Sequence, residues 1–366
     1  MRFGTWEKGE FKGRGGQGDV YLARKVVLDP LGWAERLKNT VAGLNGIANV
    51  ERNLQRAADF RELLHEAALQ RDAPMGALKI MHRITDPDVA AKARGRMKQE
   101  LAALAGLDHP AIVKILDSRP EEGWFVMEYF SSGTLETRLG DAAGDTRRAL
   151  AAFRPLVEAT ARIHTKGYIH RDIKPANIFV GDAGKLVLGD FGLVIDPLSN
   201  EPRQTDTYEN VGSRDWMPAW AYGMRIDDVK PTFDVFSLGK ILWSMISGQK
   251  MLRLWYHDHP QFNLEQKFSN DPTMRLVNAL FRKCITEHEK DCTIRDAGQM
   301  LEEIDVILDA LRRGAQVPTF MLPMKCIFCG LGTYFRSDAG NDLLFSCSNC
   351  GNMQKFLSYE QRPAWQ

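Results

Sequence analysis

Residues 170–178 read HRDIKPANI and crowd two basic side chains, an aspartate, a proline and an asparagine into nine positions. Asp172 and Asn177 stand five residues apart with Lys174 between them. A phosphoryl-transfer site needs a carboxylate to accept the proton of the attacking hydroxyl, a cation beside the transferring phosphate, and an amide oxygen for a divalent ion. One short loop supplies all three. The string alone also fits a charged surface turn, so the other parts of such a site must be sought elsewhere in the chain.

Three stretches supply them. In GRGGQGDVYLARK, Gly13, Gly15 and Gly18 form G-x-G-x-x-G, followed by Val20. In a dinucleotide-binding turn these glycines would open a helix. The residues that follow here, VYLA, are strand-like, which favours a hairpin folded over phosphates. GALKIM is a short apolar strand with one lysine, Lys79, whose alternative role is a solvated edge. Downstream, Met97, Leu101, Leu104 and Leu107 share a helical stripe with Glu100 beside it, and that acid can pair with Lys79. KLVLGDFGLV puts Asp190 at the end of an apolar run, and a carboxylate there suits a phosphate-bound magnesium.

In order and spacing these parts resemble the eukaryotic-type protein kinases, in the Ser/Thr form found in bacteria, from about residue 6 to about residue 312. The resemblance implies an α+β bilobal fold, with the small lobe and hinge over 1–130 and the large lobe over 131–312. By similarity Gly13, Gly15, Gly18, Val20 and Ala77 border ATP, and Lys79, held by Glu100, contacts its phosphates. Met127 is the expected gatekeeper, with Glu128 and Phe130 at the adenine. Asp172 would position and deprotonate the acceptor, assisted by Lys174, while Asn177 and Asp190 would hold Mg²⁺. Lys174 and Ser213 favour Ser or Thr acceptors on a protein substrate. Arg171 suggests control by a phosphate on the activation segment, with Thr205 or Thr207 autophosphorylated. Asp234, in DVFSLGKILW, is expected to bond the catalytic-loop backbone.

The chain departs from this pattern in two places. The family closes its activation segment with A-P-E, whose glutamate pairs with a late arginine. Here Trp220 and Asp291 stand at those positions, with Arg295 as the alternative partner. Losing both partners avoids an unpaired buried charge, which would cost about 3–5 kcal/mol. The second departure is an insertion over about 27–74, where Val50, Leu54, Ala57, Leu64 and Ala68 suggest a helical stripe. It is expected to pack against the small-lobe sheet or its own partner helix, with a docking or dimerisation surface that biases the Glu100 helix as the alternative.

Beyond a linker at 313–324, CIFCG and CSNCG carry Cys326, Cys329, Cys347 and Cys350 at zinc-ligand spacing. A structural Zn²⁺ ribbon over 325–357 is expected, with rubredoxin-like iron the rival, and a tail over 358–366. Cys284 and Cys292 read as buried apolar residues, and His257 and His259 as a surface turn. The ribbon's aromatics could stack on bases, but it lacks a basic footprint, which favours a protein contact over nucleic acid.

Overall composition agrees. Lys plus Arg (48) nearly balances Asp plus Glu (47), so no global field draws the chain to nucleic acid or an anionic membrane. The N-terminal stretch lacks the apolar core of a signal peptide and no stretch suits a membrane helix, so a cytoplasmic protein is expected. Rival functions are a nucleotide-binding pseudokinase scaffold, a small-molecule kinase on the same fold, and a regulator acting through the ribbon.

Overall fold

The computed structural model describes residues 1–15, 18–42, 50–191, 215–222 and 228–312, and four strands between 321 and 357. The chain divides into two compact units, Met1–Lys98 with Lys114–Tyr129, and Gln99–Val113 with Phe130–Gln366.

The first unit is built on a six-stranded antiparallel sheet, ordered β1-β2-β3-β4-β6-β5. Its strands are β1 (Arg2–Phe3), β2 (Trp6–Arg14), β3 (Gly18–Lys25), β4 (Met75–Met81), β5 (Ile115–Arg119) and β6 (Trp124–Glu128). Trp6, Ala23, Leu78, Trp124 and Val126 form its core on one face. Gly76 is required there, because a Cβ would lie 2.4 Å from Val126 Cγ1. At Gly18 a Cβ would meet the Ile80 carbonyl at 2.4 Å, so only glycine lets β3 approach β4 at the mouth of the hairpin.

Two helices, α1 (Pro30–Ala42) and α2 (Val50–Arg71), lie between β3 and β4. Their buried side differs from the expected stripe. Leu63 is 3% exposed, whereas Leu54 and Leu64 are 67% and 53% exposed. The burying face runs one position off the apolar spacing because it is set by polar stitches as much as by oil. The Trp33 indole N–H donates to the Leu63 carbonyl at 2.9 Å, and Gln70 accepts from the Val27 and Leu28 amides and donates to the Lys25 carbonyl.

Helix α3 (Pro87–Ala105) contributes to both units, with Met97, Leu104 and Glu100 buried as its stripe implies. In the second unit α4 (Thr146–Thr165) is capped by Asp145, whose carboxylate accepts from the Arg148 amide. Every residue of α5 (Thr232–Ser247) is buried. Helices α4, α7 (Met274–Cys284) and α8 (Ala297–Arg312) pack against it, α6 (Leu264–Lys267) packs on α7, and the hairpin of β7 (Ile178–Val180) and β8 (Leu186–Leu188) lies against α4. Arg154 grips Asp305 with two hydrogen bonds of 2.6 and 2.8 Å, tying α4 to α8.

Cys284 and Cys292 are buried free thiols, as expected, with burial raising both above the ordinary thiol range. His257 corrects the surface-turn expectation: it is 5% exposed and packs 6.2 Å from the Phe281 ring. Its neighbour His259 stays exposed. The turn residues around His257 disguised an inward-pointing ring.

The remaining strands, β9 (Met321–Lys325), β10 (Thr333–Ala339), β11 (Asp342–Cys347) and β12 (Met353–Leu357), form an antiparallel sheet ordered β12-β11-β10-β9. Thr333 pairs with Lys325, Tyr334 with Cys347, and Ser346 with Met353, so the β9–β10 and β11–β12 connections leave from the same end of the sheet. Among the described residues no helix is long and apolar enough to cross a membrane.

Candidate active site

In the first unit, the glycine motif sits between two antiparallel strands, not before a helix. Val20 is opposite Lys79, and Ala77 is opposite Met127. Strand side chains alternate with a period of two, so Val20, Ala77, Lys79 and Met127 share one face, opposite the Leu78–Val126 core. Lys79 is on an interior strand rather than a solvated edge, and its ammonium lies 5.3 Å from the Phe125 ring centroid. At the hairpin, Asp19 accepts from Arg14 at 2.8 Å and faces His82 at 3.1 Å. The Arg14 hydrogen bond holds the Asp19 carboxyl down at about 2.

In the second unit, the loop around Asp172 is organised by a buried carboxylate. Asp234, on the first turn of α5, accepts from the His170 and Arg171 amides, each at 2.8 Å, and from His164 Nε2 at 3.0 Å. Burial pushes this carboxyl up, but the His164 hydrogen bond and the facing imidazoles outweigh it and hold it below the usual range. The Ala297 amide donates to His164 Nδ1, which fixes the proton of a neutral His164 on Nε2. Arg171 takes φ +66°, a left-handed backbone that costs a side-chain-bearing residue about 1–3 kcal/mol. Asp234 stabilises it by accepting both amides of that turn.

His170 is fully buried and satisfied as a neutral ring. Its Nδ1 accepts from the Asp172 amide at 3.3 Å, and its Nε2 bonds the Gly189 carbonyl at 3.1 Å. Burial pushes its pKa down. Phe191 packs edge-on against it, with centroids 4.8 Å apart.

Asp172 is 7% exposed. Lys174 Nζ donates to both its carboxylate oxygens, at 3.0 and 2.8 Å, and Asn177 Nδ2 donates to Oδ2 at 2.8 Å and to the Asp172 carbonyl at 2.9 Å. Ile178 pairs with Leu188 across the β7–β8 hairpin, and the Gly189 amide donates to the Asn177 carbonyl at 2.9 Å. Residues 13 positions apart, Asn177 and Asp190, therefore flank the open end of one hairpin. Asp190 has φ +56°, a second strained backbone in the same site. With its Nδ2 committed to Asp172, Asn177 Oδ1 accepts no hydrogen bond among the described residues and is placed to serve a cation. One such oxygen and one carboxylate is a donor set that fits Mg²⁺ carrying phosphate oxygens. Among the described residues, no group of three or more His, Cys, Asp or Glu could hold a metal by itself.

Lys79 belongs to the first unit and Glu100 to the second. Thr205, Thr207, Ser213, Cys326, Cys329 and Cys350 lie outside the described residues, and Cys347 is described only as the last residue of β11. Trp220 packs beside the cluster of Ile169, Met217, Ala221, Val229 and Phe233. In the turn of Asp291 it is Glu289 that acts, accepting from Thr232 at 3.0 Å and pairing with Lys230 at 3.2 Å. The sequence reading missed His164, whose only signal is a polar ring in the last turn of α4, six residues before His170.

The protein kinase domain family matches residues 66–311, and the chain belongs to that family. The match begins inside α2, so the glycine hairpin lies before it. The DNA damage-responsive serine/threonine-protein kinase RqkA of Deinococcus radiodurans is 35% identical over 182 residues, covering 47% of this chain and 26% of that protein. Serine/threonine-protein kinase pkn2 of Myxococcus xanthus is 30% identical over 185 residues, 47% of this chain and 21% of the relative. CBL-interacting serine/threonine-protein kinase 21 of Arabidopsis thaliana is 32% identical over 187 residues, 47% of this chain and 44% of the relative. The chain thus spans less than half the length of each of these relatives.

Proposed function

We propose that the chain transfers the γ-phosphoryl group of Mg-ATP to Ser or Thr hydroxyls of a protein. The observation that carries this reading is the Asp172 carboxylate, nearly buried and gripped by Lys174 and Asn177, on a loop whose backbone is fixed by Asp234. Asp172 orients the acceptor hydroxyl and takes its proton, and Lys174 neutralises charge beside it as the phosphoryl group passes. Asn177 and Asp190 would hold Mg²⁺, which would neutralise charge on the phosphate groups. Gly13, Gly15, Gly18, Val20, Ala77, Lys79, Met127, Glu128 and Phe130 bind the nucleotide, with Glu100 as the partner of Lys79. The Ser/Thr choice is supported by Lys174 and by the names of the relatives.

The purified chain, given labelled ATP, Mg²⁺ and casein, is expected to label casein. Asp172→Ala is expected to lower the rate by at least about a thousandfold. Equal labelling by both proteins would overturn the assignment.

Arg171 fits a receptor for a phosphate on Thr205 or Thr207, and Ser213 a hydroxyl facing the catalytic loop. Mass spectrometry after incubation with Mg-ATP tests this, and unmodified threonines would contradict it. At the C-terminus, Cys326, Cys329, Cys347 and Cys350 hold one structural Zn²⁺. The reading is supported by the C-x-x-C spacing of both pairs and by the β9–β10 and β11–β12 connections leaving from the same end of the sheet. Metal analysis of the full chain is expected to give one zinc per chain, lost when Cys326 and Cys329 are replaced by Ser. The ribbon or the α1–α2 pair then serves as a contact for a protein partner.

A further inference from the structure

Helix α5 presents three polar residues at successive turns of one face, Asp234, Ser237 and Lys240. Asp234 holds the catalytic loop, as described above. Ser237 Oγ donates to the Trp216 carbonyl at 2.9 Å. Lys240 Nζ donates to the Asp215 carbonyl. One rigid, wholly buried helix therefore sets both the loop of Asp172 and the segment 215–222 in a common frame. The same segment is packed on that loop through Met217 and Ala221, which cluster with Ile169, the residue before His170.

Lys240 is anomalous for its place. It is 2% exposed in a helix that is otherwise a core element. Burying an ammonium is costly, and the burial lowers its pKa to about 8 even though the Asp215 carboxylate attracts it. The Phe236 ring, 5.7 Å away, contributes a weak cation–π contact. An aliphatic side chain would serve the core better, so the amine is explained by what it holds. The ion pair that the resemblance leads one to expect at the end of this segment is replaced by Trp220 in an apolar cluster, and the nearby acid Glu289 is engaged by Lys230 and Thr232 instead.

We propose that Lys240 is a positioning residue for the protein substrate, pinning 215–222 as the ledge on which the acceptor-bearing chain is aligned with Asp172. This rests on the protein-kinase reading. Lys240→Met in the full chain is expected to raise KM for casein about tenfold, the worth of one hydrogen bond to a charged group, while KM for ATP stays unchanged. Its melting temperature is expected to be equal or higher, because a buried charge gives way to an isosteric apolar chain. Amide hydrogen exchange is expected to accelerate over 215–222 and not over α5. Lys240→Arg is expected to restore part of the casein affinity.

Unchanged KM and unchanged exchange would overturn the proposal. So would a lowered melting temperature with KM for ATP and casein rising together. If Lys240→Met does not fold, Ser237→Ala, which frees the Trp216 carbonyl, is expected to give the same split at about threefold. No transfer to casein by the wild-type chain would overturn the kinase reading and the docking role with it. That result is distinct from the exchange measurement, which reports the anchoring of 215–222 without any turnover.

Discussion

The catalytic loop and the α1–α2 pair are held by opposite means. Around Asp172, buried polar groups satisfy one another: Asp234 accepts from three donors, and His170 and His164 are each bonded through both ring nitrogens. The α1–α2 pair has one deeply buried leucine, Leu63, and hangs on exposed stitches such as Arg36 to Glu66. A network of mutually satisfied buried groups has one arrangement, because any displacement leaves a donor or acceptor unpaired. Solvent can replace surface stitches. Chemistry that depends on sub-ångström placement belongs with the first, and a variable contact surface with the second.

The largest effect that sharpens this contrast is expected at Asp234. Asp234→Ala leaves the His170 and Arg171 amides and the His164 ring without their acceptor, which should destabilise the chain by about 3–5 kcal/mol in urea unfolding. A loss under about 1 kcal/mol would show that the loop does not depend on this anchor. Next comes the helical pair itself. Leu63→Ala should cost about 2–4 kcal/mol, and Leu64→Ala, one residue away and exposed, less than about 0.5 kcal/mol. Equal costs would mean that α2 buries the other face.

A smaller effect is expected from pH. The folded state holds His170 below its ordinary pKa, so the unfolded chain takes up the proton first as pH falls. Stability from this group is complete above about pH 6.5 and declines below it, by at most about 1.4 kcal/mol per pH unit. Denaturant midpoints that rise between pH 7 and pH 5.5 would contradict a buried neutral ring. The smallest effect is expected for Arg36→Ala, about 0.2–1 kcal/mol and weaker in high salt, because its pair with Glu66 is exposed.

The site was far more legible in the sequence than its supports. HRDIKPANI, the glycine hairpin, Lys79 and Asp190 are short polar motifs that the sequence by itself marks as candidates for phosphate chemistry, and Asp234 stood out as an acid opening an apolar helix. His164 bonds the Asp234 carboxylate and the Ala297 amide, and Lys240 the Asp215 carbonyl, all distant in sequence, so no spacing rule points to them. Lys240 in particular reads as one lysine in an apolar run until its partner, the Asp215 carbonyl, is seen. The stripe on α2 was misphased because apolar spacing alone cannot weigh the hydrogen bonds of Trp33 and Gln70. His257 was misread because a turn composition says nothing about which ring it turns inward.

In the proposed mechanism Asp172, gripped by Lys174 and Asn177, receives the acceptor proton. Single-turnover transfer from labelled Mg-ATP to casein, measured for the wild-type chain and for Asp172→Asn, decides it. The expected result is unchanged nucleotide binding with a transfer rate at least about a thousandfold lower in the variant. Transfer at the wild-type rate by Asp172→Asn would contradict it.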